Sequence, residues 1–64
     1  MNITVNGKLH KVTACNLADL LLQLKYSGKV ATALNENFVA AHDRDKTELR
    51  DGDRVEIVTP MEGG

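Results

Sequence analysis

Asp51-Gly52-Asp53-Arg54-Val55-Glu56-Ile57-Val58-Thr59-Pro60-Met61-Glu62-Gly63-Gly64 is the stretch that decides how the rest of the chain is arranged. Asp-Gly-Asp is turn chemistry, because Gly reaches positive φ without steric cost and Asp side chains bond nearby backbone groups. Arg54 to Thr59 then reads as a strand. Val55 and Ile57 share one face and Val58 lies on the other, so the strand is expected to be covered on both sides, inside a sheet. Pro60 lacks an amide donor and ends the ladder. Residues 1–59 are therefore expected to form the folded body, and Pro60, Met61, Glu62, Gly63 and Gly64 a flexible tail.

A strand inside a sheet needs neighbours on both edges, and the upstream sequence supplies them. Asn2-Ile3-Thr4-Val5 and Lys8 to Val12 are two strand-like runs flanking Asn6-Gly7, a strong hairpin signal because both turn residues accept positive φ. A two-residue turn places Val5 opposite Lys8, whereas a three-residue loop places it opposite Leu9. The apolar pattern favours the second. Asn16 then caps a helix with Asp19 in its first turn. Leu17, Leu20, Leu21 and Leu24 fall on one stripe, and Gly28 is the expected stop after about ten residues.

Val30 to Leu34 is expected to be a short strand, Asn35-Glu36-Asn37 a turn, and Phe38-Val39-Ala40 a second short strand. Ala41 to Arg50 reads as irregular, anchored by Leu49. One helical stripe cannot bury itself, so the helix lies across a mixed sheet of four to five strands, an α+β architecture. The final strand is expected to run parallel to the first.

With 64 residues the chain makes one domain with a thin core. Its single cysteine allows no internal disulfide and fits a reducing compartment. Eight basic and nine acidic side chains give a formal net charge of −1, scattered without blocks. Together with only two aromatics, Tyr26 and Phe38, this argues against nucleic acid as a partner. No leader-like or membrane-spanning run precedes Ile3 or interrupts the chain, so a cytoplasmic protein without membrane association is expected.

Little in the body suggests catalysis. His10 and His42 lie far apart in sequence and carry no local signature, so neither is expected to be catalytic or to bind a metal, which needs three or four convergent ligands. Asp43-Arg44-Asp45 fails as a calcium loop, since Glu48 stands where that loop requires Gly and Arg54 where it requires Glu. Cys15, just before the helix cap, reads as a small buried apolar residue. The competing reading is a thiol whose pKa the helix N-terminus would lower. The tail is different. Gly63 and Gly64 have no Cβ and pass where side chains would clash. Pro60 to Gly64, extended, reaches roughly 16–18 Å at 3.3–3.6 Å per residue. A terminal carboxylate can thus be delivered into another protein's pocket.

Asn6-Gly7, the Leu-rich helix, Leu34-Asn35 and Asp51-Gly52-Asp53-x-Val55-Glu56-Ile57-Val58-x-Pro60-x-x-Gly63-Gly64 together resemble the thiamine-biosynthesis sulfur carrier proteins. The resemblance covers essentially the whole chain, and its C-terminal third is the specific part. It implies a ubiquitin-like β-grasp fold and a carrier rather than an enzyme. An ATP-dependent adenylyltransferase, related to ubiquitin-activating enzymes, would convert the Gly64 carboxylate to an acyl-adenylate. A persulfide sulfur donor would leave a Gly64 thiocarboxylate, and thiazole synthase would accept the sulfur. ATP is used by that partner, and no bound cofactor is implied for this chain. Pro60, Met61, Glu62 and Gly63 would thread the tail into each partner. At Ala40-Ala41-His42 the chain departs from the Pro-Arg and nearby aromatic common in the family, so no partner contact is carried over to that loop.

Three other readings compete. A molybdopterin-synthase-type carrier shares the thiocarboxylate and differs in acceptor; the short length and Val-Glu-Ile-Val-x-Pro favour the thiamine type. A ubiquitin-like modifier would join Gly64 to a lysine. A plain β-grasp binding module would have an idle tail, though such modules usually sit inside longer chains.

Overall fold

The computed structural model describes residues 1–59. Its elements run β1 (Asn2–Val5), β2 (Lys8–Lys11), α1 (Leu17–Gln23), β3 (Ala31–Leu34), β4 (Asn37–Val39), a 3₁₀ helix (Ala41–Lys46) and β5 (Arg54–Val58). The strands form one sheet in the order β2-β1-β5-β3-β4. β5 pairs parallel with β1 and antiparallel with β3, which places the last strand at the centre of a mixed sheet, as its sequence led us to expect. The helix crosses one face. This is the β-grasp arrangement.

Alternation along β1 and β5 builds the core. Ile3, Val5, Val55 and Ile57 point to the helix side and are buried, where they meet Leu17, Leu20 and Leu21 of α1. Each such side chain contributes roughly 1.5–3 kcal/mol by leaving water. Leu49 joins them, as expected of the one apolar anchor in its segment. That segment is more regular than its charged sequence suggested, because Arg44 ties the 3₁₀ helix to β3. Its Nε donates to Thr32 Oγ1 (3.0 Å) and its Nη2 to the Val30 carbonyl (2.6 Å). Thr32, the buried polar residue of the core, in turn donates to the Val39 carbonyl (2.9 Å). A hydroxyl that both donates and accepts carries no unmet polar group into the core.

Helix α1 begins as its sequence indicates. Asn16 Oδ1 accepts from the Asp19 N–H (2.7 Å), satisfying one of the free amides of the first turn. It ends earlier than expected. Leu24 is the cap and Lys25 takes the left-handed conformation (φ 64°), with the Tyr26 N–H donating back to the Leu21 carbonyl (2.9 Å). Gly28 also has positive φ (79°), but in the following loop rather than at the helix stop. The stop is set by packing: the returning chain brings Tyr26 against the core beside Leu24, and Lys25 bears the strain.

Two further expectations are corrected. The β1–β2 hairpin uses the two-residue turn, so Val5 faces Lys8 and Leu9 faces Thr4. Asn6 (φ 50°) and Gly7 (φ 83°) supply the paired left-handed conformations of such a turn, and the Asn6 N–H donates to the Val55 carbonyl (2.9 Å). That bond fixes Asn6 against β5 and leaves no room for a third loop residue. β2 is an edge strand, so exposing Leu9 (68%) on the face away from the helix costs less than breaking the central ladder. β5, moreover, is covered on one face only among the described residues. Val58, on the other, is 62% exposed.

Candidate functional site

The residues that the sequence nominates for function, Pro60, Met61, Glu62, Gly63 and Gly64, lie outside the described residues, as does the boundary at Pro60. What the fold supplies is the course of β5 up to Val58. β5 runs up the middle of the sheet and reaches Val58 beside Ala31, the first residue of β3. On its other side β1 is shorter. The ladder pairs Thr4 with Arg54 and Val5 with Val55, and then β1 turns away at Asn6-Gly7. The Asn6 N–H still reaches the Val55 carbonyl, but Ile57, two residues on, has no backbone of β1 to pair with.

The side chain of Asn6 takes that place. Its Oδ1 accepts from the Ile57 N–H (2.8 Å) and its Nδ2 donates to the Ile57 carbonyl (3.0 Å). A carboxamide carries a donor and an acceptor with the spacing of a peptide unit, so it mimics one more residue of strand. Ile57 is thereby held on the side that β1 vacates, while its side chain is buried on the helix face. The sequence singled out Asn6 only for its turn-forming backbone. Its partner stands 51 residues away, and no local pattern reports that contact.

The helix-free face around this exit is largely apolar. The β3–β5 and β3–β4 registers put Ala31, Ala33, Phe38 and Val58 on it, with Glu56 among them. Phe38 (73% exposed) and Val58 are the large members. Lys29, Val30, Ala31 and Val58 line a shallow depression of about 290 Å³ there. A shallow, largely apolar surface suits protein contact better than small-molecule capture.

Other candidate residues are not brought together. His10 lies on β2 opposite Ile3, and His42 lies in the 3₁₀ helix with Nε2 3.5 Å from Asp43 Oδ2, on exposed side chains. Among the described residues no three His, Cys, Asp or Glu side chains converge as a metal site. Cys15 is exposed, against the expectation of a buried residue. Its neighbours explain this. Ala14 and Leu17 face the core, and the Cys15 carbonyl accepts from the Leu49 N–H (2.9 Å), so its side chain points outward, 3.8 Å from the Thr13 carbonyl. Asp51 and Asp53 serve the turn. They accept from the Asn2 N–H (2.6 Å) and the Arg50 N–H (2.8 Å). No helix among the described residues is long and apolar enough to cross a membrane.

Comparison with known proteins places this geometry. The model of the ThiS family matches residues 3–64, which include the Gly63-Gly64 end. A crystal structure of a thiamine biosynthesis protein (ThiS) from Geobacter metallireducens is 38% identical, with a TM-score of 0.84 and full coverage of both chains. An NMR solution structure of a thiamine biosynthesis protein from the same organism is also 38% identical, with a TM-score of 0.83 over all of this chain and 88% of that one. No curated protein matches the sequence significantly. A family model spanning nearly the whole chain, and a shared fold at that identity, leave one assignment: this chain belongs to the ThiS family.

Proposed function

We propose that this protein carries sulfur as a thiocarboxylate on Gly64 and delivers it for thiazole formation in thiamine biosynthesis. The observation that carries this reading is the family match through Gly64, on a body whose last strand is the centre of the sheet. Sulfur carriage is the role that family membership supports. The chemistry of the end follows from what a carboxylate can and cannot do.

A carboxylate resists nucleophiles because it is anionic and lacks a leaving group. In the proposed cycle a Gly64 oxygen attacks the α-phosphorus of ATP on an adenylyltransferase of the ubiquitin-activating type, and pyrophosphate leaves. The terminal sulfur of a persulfide donor then attacks the acyl carbon and displaces AMP, giving an acyl disulfide. A thiol cleaves its S–S bond, supplying two electrons and becoming a disulfide, and Gly64 is left as the thiocarboxylate. The ionised sulfur is the nucleophile that thiazole synthase takes up. The catalytic groups belong to the partners. Gly64 is a covalent substrate, Gly63 provides clearance, and Pro60, Met61 and Glu62 span the distance from the body.

Intact-mass measurement tests the reading. Incubated with the adenylyltransferase, ATP and a persulfide donor, the full chain is expected to gain the mass of one oxygen exchanged for sulfur. Deleting Gly64 should abolish the gain, and a chain that still acquires sulfur without Gly64 would overturn it. Presenting the thiolated chain to thiazole synthase and, separately, to a molybdopterin synthase acceptor distinguishes the two sulfur destinations.

A further inference from the structure

We infer that Asn6 is the positioning residue of the tail: its side-chain amide holds Ile57 at the root and so sets where Gly64 is presented to the adenylyltransferase. The inference rests on the carrier reading above and adds to it a residue in the body that acts on the tail's chemistry.

The argument begins with a mismatch of strand lengths. β5 extends past the end of β1, because β1 gives way to its turn while β5 continues to Val58. A central strand that outruns a neighbour exposes backbone groups on that side, and such groups stay rigid only when paired. Ile57 is the residue so exposed. Asn6 pairs both of its backbone groups, at 2.8 and 3.0 Å, using a side chain that projects from the turn rather than from a strand. The turn itself does not require this. Gly serves as well at a two-residue turn with positive φ, and at φ 50° it would be less strained than Asn. The amide therefore has a task separable from turn formation.

That task bears on reaction because Ile57 is the last inward-facing residue before the tail. With Asn6 in place, β5 is held from both sides up to Ile57 and from the β3 side at Val58. Without the amide, the strand beyond Val55 is held from one side only. With only the β3 pairing left at Glu56 and Val58, the end of β5 frays more readily and its direction is less fixed. The effective concentration of a linked group falls as about the −3/2 power of the length of chain before it, so fraying back to Glu56 lowers it roughly twofold. Loss of direction adds to this, since reacting groups must approach in a defined orientation.

The substitution that isolates this role is Asn6→Gly, which keeps the turn and removes the amide. In steady-state adenylation of the full chain, kcat is expected to fall about twofold. KM for the carrier is expected to stay unchanged, because the apolar helix-free face with Phe38 and Val58 is untouched. Hydrogen exchange at the Ile57 amide should accelerate, and the remainder of the sheet should keep its protection. A residue needed only for the turn would show no change in either measurement. A residue that only stabilises the fold would shift the urea midpoint and leave kcat of the folded chain intact. Either result overturns the assignment. A wild-type chain that is never adenylated instead overturns the carrier reading, and this role with it.

Discussion

The two ends of β5 are held by the same residue type in the same setting, yet with different consequences. At entry, Asn35 opens the β3–β4 turn with φ 48°; at exit, Asn6 opens the β1–β2 turn with φ 50°. Asn35 pairs with Arg54 through its own N–H (2.7 Å to the Arg54 carbonyl) and its Oδ1 (2.9 Å from the Arg54 N–H), and its Nδ2 donates to Asp53 Oδ1 (3.1 Å). That end is held several times over. The Asp53 carbonyl also accepts from the Thr4 N–H and its N–H donates to the Arg50 carbonyl, both at 3.0 Å. At the exit, the Asn6 side chain alone reaches Ile57 from the β1 side. One end is redundant on both sides, whereas at the other, among the described residues, the β1 side rests on a single amide. The redundant end faces a turn, whereas the single amide sits one residue before the end of β5, ahead of the stretch proposed to carry sulfur.

The sharpest break of this comparison is Asn35→Gly set beside Asn6→Gly. Removing the Asn35 side chain loses two hydrogen bonds, each contributing about 0.5–1.5 kcal/mol. Stability should fall by about 1–3 kcal/mol in urea unfolding, while kcat for adenylation stays at the wild-type value. If Asn35→Gly slowed adenylation as much as Asn6→Gly, the two ends would be equivalent and the asymmetry would carry no functional meaning.

That asymmetry was not legible in the sequence, although most of the fold was. Asn6-Gly7, the Leu17-Leu20-Leu21-Leu24 stripe and the alternation of Val55 and Ile57 gave the hairpin, the helix and the central strand, because each is written in a local period. At Leu9 the pattern points to the wrong register, because an apolar residue on an edge strand reads like a core residue and only the bond from Asn6 to Val55 excludes the longer loop. The helix stop at Lys25 is hidden for a similar reason. A lysine at φ 64° has no propensity signal, and the packing of Tyr26 imposes it. Cys15 faces outward because of the bond between its carbonyl and Leu49, a contact between distant segments. The candidate site divides in the same way. Gly63 and Gly64 announce themselves by composition, whereas the bonding of Asn6 to Ile57 depends on a contact across the fold.

The turns also differ at their second residue, and this sharpens the comparison at lower cost. Gly7 takes φ 83° freely, but Glu36 takes φ 73° with a full side chain. The left-handed conformation costs an L-residue roughly 1–2 kcal/mol, against which Gly's greater freedom in the unfolded chain offsets about 0.5–1 kcal/mol. Glu36→Gly should therefore stabilise the protein by about 0.5–1 kcal/mol, read as a higher urea midpoint at unchanged slope. A loss of stability would show that Glu36 makes a contact worth more than its strain.

Among the described residues one such contact is in view, and it sets the smallest expected effect. Glu36 Oε2 lies 3.5 Å from Arg54 Nη2, with the two side chains 74% and 62% exposed. Pairs this open to water contribute about 0–1 kcal/mol, because solvent screens the attraction and two long side chains lose freedom in forming it. Arg54→Gln keeps much of the apolar stem and removes the charge, so stability should change by less than about 0.5 kcal/mol. The decisive measurement is the double-mutant cycle with Glu36→Gly. If backbone strain governs Glu36, Arg54→Gln has nearly the same effect in either background, and the coupling stays below about 0.5 kcal/mol. A larger coupling would move the account from backbone to charge, and the entry of β5 would then be fixed by the Glu36–Arg54 pair as well as by Asn35.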